Sequence, residues 1–153
     1  MPTDATTRVI YNSIYQYGVD PKRRIQIPAM WRSAQPNLQL TLIVWPQRVE
    51  GACLRVLPPT EMAELMEKLD KMTDGDRNKT VLKRIIGTES TQVAIDKAGR
   101  ICVPEEMARA AGIGDEAMLV GLLDKFEIWS PERYEKVKAA DAILAQEAFK
   151  LME

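Results

Sequence analysis

Four positions separate Asp20 from Arg24, and the same spacing separates Asp96 from Arg100. The surrounding stretches read DPKRRIQIPAMW and DKAGRICVPEEM, each with an Ile or Val followed by Pro after the Arg. An Asp at the head of a turn accepts hydrogen bonds from backbone N–H groups further along, which fixes the loop. The Arg that emerges carries a planar fork of donors suited to a carboxylate, a phosphate or a guanine edge. Such a pair can close on itself as a surface ion pair worth about 0–1 kcal/mol. It can also brace a guanidinium for a partner, and two occurrences in matched context favour this second reading.

The two turns differ in one instructive way. In DKAGR, Gly99 stands where a type I turn calls for a residue with positive φ before the strand resumes. In DPKRR that place is taken by Arg23, with Pro21 stiffening the second turn position. A non-glycine residue at positive φ costs on the order of 1 kcal/mol. Either the first turn has another shape, or the strain is tolerated for an extra charge. Lys22, Arg23, Arg24 and Arg32 against Asp20 leave a local excess of three positive charges, whereas Lys97 and Arg100 against Asp96 leave one. The candidate nucleic-acid contacts are therefore Lys22, Arg23, Arg24, Lys97 and Arg100, with Asp20, Asp96 and Gly99 bracing the turns.

Composition narrows the chemistry. The chain has 153 residues, 46% of them hydrophobic, enough for a core, and a net charge of -1 that advertises no anionic partner overall. Any basic footprint must be local. There is no His, and the two cysteines, Cys53 and Cys102, lie singly among apolar neighbours without metal-ligand spacing. Both are expected to be buried thiols, and no metal, cofactor or small-molecule substrate is expected. Without His, the commonest general base and nucleophile partner are missing. No apolar run is long enough to span a membrane, and the N-terminal stretch lacks the pattern of a signal peptide, so a cytoplasmic location is expected.

The turns need elements to hold them, and the sequence writes these elements twice. Sliding Asp20 onto Asp96, an offset of 76, aligns Arg24 with Arg100, Ile25 with Ile101, Ile27 with Val103 and Pro28 with Pro104. Farther on, RVLPPTEM overlies EIWSPERY at an offset of 72, which puts about four extra residues in the first copy, most simply at 46–51. Each copy reads as strand, turn, strand, short helix, strand, strand, helix. The strands are IYQYGV, RIQI, LTLIVW and CLRVL in the first copy, and TQVAI, RICV, AMLVGLL and FEIW in the second. Pro28, Pro59, Pro104 and Pro131 open helices, Gly112 ends one, and Ser130 is placed to cap the last.

Met62, Leu65, Met66, Leu69 and Met72 form a helical stripe suited to core packing. Residues 73–80, TDGDRNKT, read as a linker between a first repeat over 8–72 and a second over 81–153. The final helix, from Pro131 toward Phe149, has a ragged face of Tyr134, Val137, Leu144 and Leu151 that could pack on its own chain or on a neighbour. A half of about 75 residues cannot cover its own sheet or protect its edges. Interleaving the hairpins of both halves gives an α+β fold, a pseudo-symmetric barrel with flanking helices and both turns presented outward.

Taken together, the paired DxxxR turns, RIIG ahead of the second repeat, IDKAGRICVP and VGLLDKFEIWSPERYE resemble the MraZ family, bacterial regulators associated with the division and cell wall gene cluster and built from two AbrB-like repeats. The resemblance spans about residues 14–134. It implies a swapped-hairpin barrel, ring-shaped homo-oligomers and regulation of transcription, on the nucleoid, through short direct repeats in double-stranded promoter DNA. It makes Arg24 and Arg100 the DNA-contacting arginines, with Asp20 and Asp96 as their turn partners. Arg23 is a departure, since the family commonly has Gly there. Three other readings compete: an AbrB-like antitoxin, an oligomeric scaffold without nucleic acid, and a hydrolase using Asp20 and Asp96 as an acid–base dyad. The last is disfavoured by the basic residues that follow each Asp.

Overall fold

A computed structural model describes residues 8–33, 35, 38–46 and 51–153. Its strands are β1 (Ile14–Gly18), β2 (Arg24–Gln26), β3 (Gln39–Trp45), β4 (Cys53–Leu57), β5 (Ser90–Ala94), β6 (Arg100–Cys102), β7 (Glu116–Gly121) and β8 (Phe126–Trp129). The helices are α1 (Pro59–Asp70), α2 (Arg77–Thr88), α3 (Glu105–Ala110) and α4 (Pro131–Phe149). The class is α+β, and every strand pairing is antiparallel. All eight expected strands are present within a residue or two. The extra residues expected at 46–51 fall largely on 47–50, and the N-terminal reading falls partly on 1–7; both stretches lie outside the described residues.

The ladders cross the repeat boundary at every symmetric opportunity. Six strands form one sheet in the order β1-β7-β8-β4-β3-β5, and β2 pairs with β6 in a separate ribbon. Thus β1 of the first repeat pairs with β7 of the second, and β5 of the second pairs with β3 of the first. The equivalent strands β4 and β8 pair with each other, as do β2 and β6. A pseudo-two-fold axis therefore passes between Ile25 and Ile101 in the ribbon and between Arg55 and Glu127 in the sheet. Ile25, Ile27, Ile101 and Val103 are buried against Leu40, Leu42, Leu54, Val56, Leu119, Phe126 and Ile128. The ribbon thus rests on the common core through alternate residues, which forces the intervening ones outward.

An aromatic group closes one side of the core. Trp31, at the end of a short 3-10 turn over Ala29–Trp31, meets Tyr15 edge-on at 5.3 Å and Phe126 at 4.9 Å between ring centroids. Its indole N–H donates to the Asn12 carbonyl at 3.0 Å, so its polar edge is satisfied. The chain at residues 11–13 runs tightly past Gly121, where a Cβ would fall 2.6 Å from the Tyr11 carbonyl carbon. Only glycine admits that approach.

Several details depart from the sequence reading. Cys53 is buried and its thiol pKa is pushed up by that burial, but Cys102 is exposed, contrary to expectation. Strand alternation is the reason: Ile101 and Val103 point inward, so Cys102 points out. α2 was not expected as a helix. The polar stretch 73–80 holds the turn after α1 and the first turn of α2, whose Asp76 carboxylate accepts from Asn78 N–H at 2.9 Å. On α1 the expected stripe is only partly core, with Leu69 buried and Met66 54% exposed. On α4, Tyr134 and Val137 are half-buried while Leu144 and Leu151 are exposed. Ser130 caps α4 by accepting from Arg133 N–H at 3.0 Å, as expected.

The charge pair on the axis is buried enough to matter. Arg55 Nε donates to Glu127 at 2.8 Å, the other Glu127 oxygen accepts from the Trp129 indole at 2.9 Å, and the Arg55 guanidinium lies 4.2 Å from the Trp45 ring centre. Removing one member of such a pair strands the other in a low-dielectric setting. Glu127→Ala is expected to lower the unfolding free energy by about 3 kcal/mol, read from the urea midpoint at unchanged slope. A double replacement of Arg55 and Glu127 by Leu should recover most of that loss. Failure of the pair of leucines to recover it would show that an orphaned charge is not the source of the cost.

Candidate nucleic-acid interface

Both turns are built by the same set of hydrogen bonds. Asp20 Oδ1 accepts from Lys22 N–H at 2.9 Å and Arg24 N–H at 2.8 Å. Asp96 Oδ1 accepts from Ala98 N–H and Arg100 N–H, both at 2.9 Å. The backbone closes identically: Arg23 N–H donates to the Asp20 carbonyl and Gly99 N–H to the Asp96 carbonyl. φ is +60° at Arg23 and +83° at Gly99. The first turn therefore keeps the geometry of the second, and the strain at Arg23 is tolerated.

The compensation is visible. Arg23 Nε donates to the Val103 carbonyl of the other repeat at 3.0 Å. A charged hydrogen bond contributes about 1.5–3 kcal/mol, more than the roughly 1 kcal/mol of backbone strain. Arg23 thus folds back across the ribbon and stitches the repeats together, a destination its position in a basic cluster does not reveal.

Arg24 and Arg100 are placed differently. Arg24 Nε donates to Asp20 Oδ2 at 2.6 Å and Arg100 Nε to Asp96 Oδ2 at 3.2 Å. Arg100 Nη1 also lies 3.9 Å from Asp20 Oδ2, so both guanidinium groups converge on one carboxylate. Each Asp uses the Nε side of its Arg, and among the described residues the terminal nitrogens of Arg24 donate to no protein acceptor. The two side chains are 34% and 33% exposed on the outer face of the same ribbon. Lys22 and Lys97 are exposed at the turn tips.

The register β2–β6 adds residues that sequence reading did not select. Arg24 sits opposite Cys102 and Gln26 opposite Arg100, so these four side chains share the outer face while Ile25 and Ile101 face the core. The Cys102 thiol donates to the Lys22 carbonyl at 3.3 Å, and Gln26 Nε2 donates to the Ala98 carbonyl at 3.3 Å. Alternation around Ile25 and Ile101 was a usable signal for their outward placement. Their neighbours across the ribbon were not readable before the pairing was known.

Electrostatically the turns are set as carboxylate plus guanidinium. Donation from the Arg24 backbone N–H, with help from the Arg24 side chain, holds the Asp20 carboxyl below its usual range; the Arg100 backbone N–H does the same for Asp96. Two carboxylates both kept ionised do not share a proton, which argues against an acid–base dyad. No group of three or more potential metal-ligating side chains occurs among the described residues. No helix among them is long and apolar enough to cross a membrane.

With this geometry in hand, the known proteins are informative. The chain is 33% identical over 140 residues to the transcriptional regulator MraZ of Roseiflexus castenholzii, covering 91% of this chain and 94% of that protein. The chain belongs to the MraZ family. A family profile described as "MraZ protein, putative antitoxin-like" matches residues 86–150. The transcriptional regulators MraZ of Thermomicrobium roseum and Rickettsia akari are 32% identical over 120 residues and 26% identical over 143 residues, covering 78% and 93% of this chain and 81% and 96% of those proteins. The 140-residue alignment is long enough to include both turns.

The depressed Asp20 and Asp96 values carry a pH dependence with a definite sign. A carboxyl that titrates lower in the folded than in the unfolded state binds fewer protons when folded, so it adds stability above about pH 4 that is lost as pH falls through its folded value. Melting temperature measured from pH 6 downward should therefore fall less steeply for the Asp20→Asn, Asp96→Asn double variant than for the wild type. Parallel curves for the two proteins would show that the turn carboxylates are not tuned by their donors.

Proposed function

We propose that this protein is a transcriptional regulator that binds double-stranded promoter DNA in a sequence-specific manner through its two Asp-to-Arg turns. The observation that carries the reading is the placement of Arg24 and Arg100 on one outward face, each braced through Nε by an Asp, with about a third of each side chain exposed. Nε bracing pre-organises the fork, so less side-chain freedom is lost when it meets phosphate or guanine. The relatives' name, transcriptional regulator, supports the same reading.

The finer parts of the proposal follow from the family. The repeats, over 8–72 and 81–153, form a swapped-hairpin barrel in which the β2–β6 ribbon caps the six-stranded sheet. Several subunits assemble as a ring on the nucleoid, each offering its turns to consecutive short direct repeats in the promoter of a division and cell wall gene cluster. A subunit of net charge -1 presents few cations. Turns on one rigid assembly meeting successive repeats act at high effective concentration, which replaces charge density by avidity. Exposed Lys22 and Lys97 supply phosphate contacts beside the arginines, while Arg23 serves the fold through Val103 and adds only its charge.

Titration of a promoter fragment carrying short direct repeats, at two salt concentrations, tests this directly. The intact chain should bind with a log–log salt slope of roughly -0.9 per phosphate contact. Arg24→Ala and Arg100→Ala should each weaken specific binding by about 1–3 kcal/mol per engaged base contact, and the double variant should lose discrimination between the repeats and random duplex. Equal isotherms for wild type and double variant would overturn the assignment. A species no larger than a dimer in light scattering would favour the antitoxin reading.

A further inference from the structure

The second turn has a neighbour that local sequence does not reveal. Arg32 follows the 3-10 turn whose last residue, Trp31, is buried in the core, so its backbone is firmly placed. Its guanidinium lies across Gly99: a Cβ built on that glycine would fall 2.7 Å from Arg32 Cζ and closer still to Nη1. Glycine at this position therefore does more than permit φ of +83°; it leaves the room that an arginine of the other repeat occupies.

Among the described residues this guanidinium has no counter-ion. No carboxylate lies within ion-pair distance of it, and its Nε is buried without an acceptor. Both oxygens of the nearby Asp96 are engaged, Oδ1 by Ala98 and Arg100 N–H and Oδ2 by Arg100 Nε. A donor removed from water without a partner is costly, and native proteins rarely leave one so. Beside it opens a cavity of about 200 Å³ lined by Arg32, Ser33, Gln35, Asp96 and Gly99, with Leu38 and Ile95 forming its apolar side. The Asp96 carboxylate on the rim is already paired with Arg100, so the unpaired guanidinium, with a hydroxyl and an amide beside it, is the charge left to meet a tetrahedral oxyanion.

We propose that Arg32 is a phosphate-binding residue that holds a backbone phosphate of duplex DNA beside the Arg100 turn. The proposal rests on the reading that the ribbon face meets DNA, and it adds a contact made by the first repeat at the turn of the second. It also evens the two ends of the ribbon. The first turn has an excess of basic residues of its own, whereas the second borrows its extra cation across the repeat boundary.

The test uses the full-length protein with promoter duplex, random duplex and inorganic phosphate as separate probes. Arg32→Gln, shown to be folded by an unchanged melting temperature, should weaken both duplexes several-fold alike and make the salt slope shallower by about 0.9. Arg32→Lys should restore most of the slope. In the unaltered protein the Arg32 Nε–H resonance should shift on addition of either duplex, a readout that survives even if the glutamine variant does not fold. An unchanged slope in a folded Arg32→Gln protein, or a resonance that ignores DNA, would overturn this assignment while leaving the promoter reading intact. A resonance that responds to inorganic phosphate and not to DNA would assign the cavity to a free anion and equally overturn it. Absence of any DNA binding by the intact chain would remove both readings.

Discussion

Everything in this fold depends on backbone hydrogen bonds that neither repeat can make alone. Among the described residues β1 pairs only with β7, β5 only with β3, and β2 only with β6. A strand left with unpaired N–H and C=O groups is both unstable and sticky. The exchange is therefore a requirement for each half, and the ribbon that displays both turns exists only once the halves have docked. Formation of the candidate interface and completion of the fold are the same event. The crossing bond from Arg23 to the Val103 carbonyl reinforces that link at the turn itself.

Much of the architecture was legible from short-range pattern. The strands announce themselves by alternation and the helix starts by Pro59, Pro104 and Pro131, and the repeat itself tells which strands are equivalent. α2 was overlooked although Val81, Leu82, Ile85 and Ile86 stand at helical spacing. The polar residues just before them carry the composition of a linker. None of the residues of α2 is buried, so little tertiary packing reinforces the pattern. An apolar neighbourhood does not bury Cys102, because Ile101 and Val103 on either side fix its direction by alternation.

The site was legible where it repeats and illegible where it crosses. Asp20 with Arg24 and Asp96 with Arg100 are local pairs, and the turn chemistry between them follows from spacing alone. The convergence of Arg100 on Asp20, the approach of Arg32 to Gly99 and the retreat of Arg23 toward Val103 each join residues of different repeats. They depend on the register of the β2–β6 ribbon, and a single chain read from left to right carries no local signal of that register.

The pair on the pseudo-two-fold axis makes the halves unequal partners. Symmetry sets position 55 against position 127, and the chain writes Arg at one and Glu at the other. An assembly of two copies of the first half would bring arginine against arginine there, and two copies of the second would bring glutamate against glutamate, each with the like charges held in a poorly solvated centre. The duplicated units have thus lost their interchangeability: one lock and one key are carried on a single polypeptide, and mispairing between identical halves of neighbouring molecules is penalised at that position.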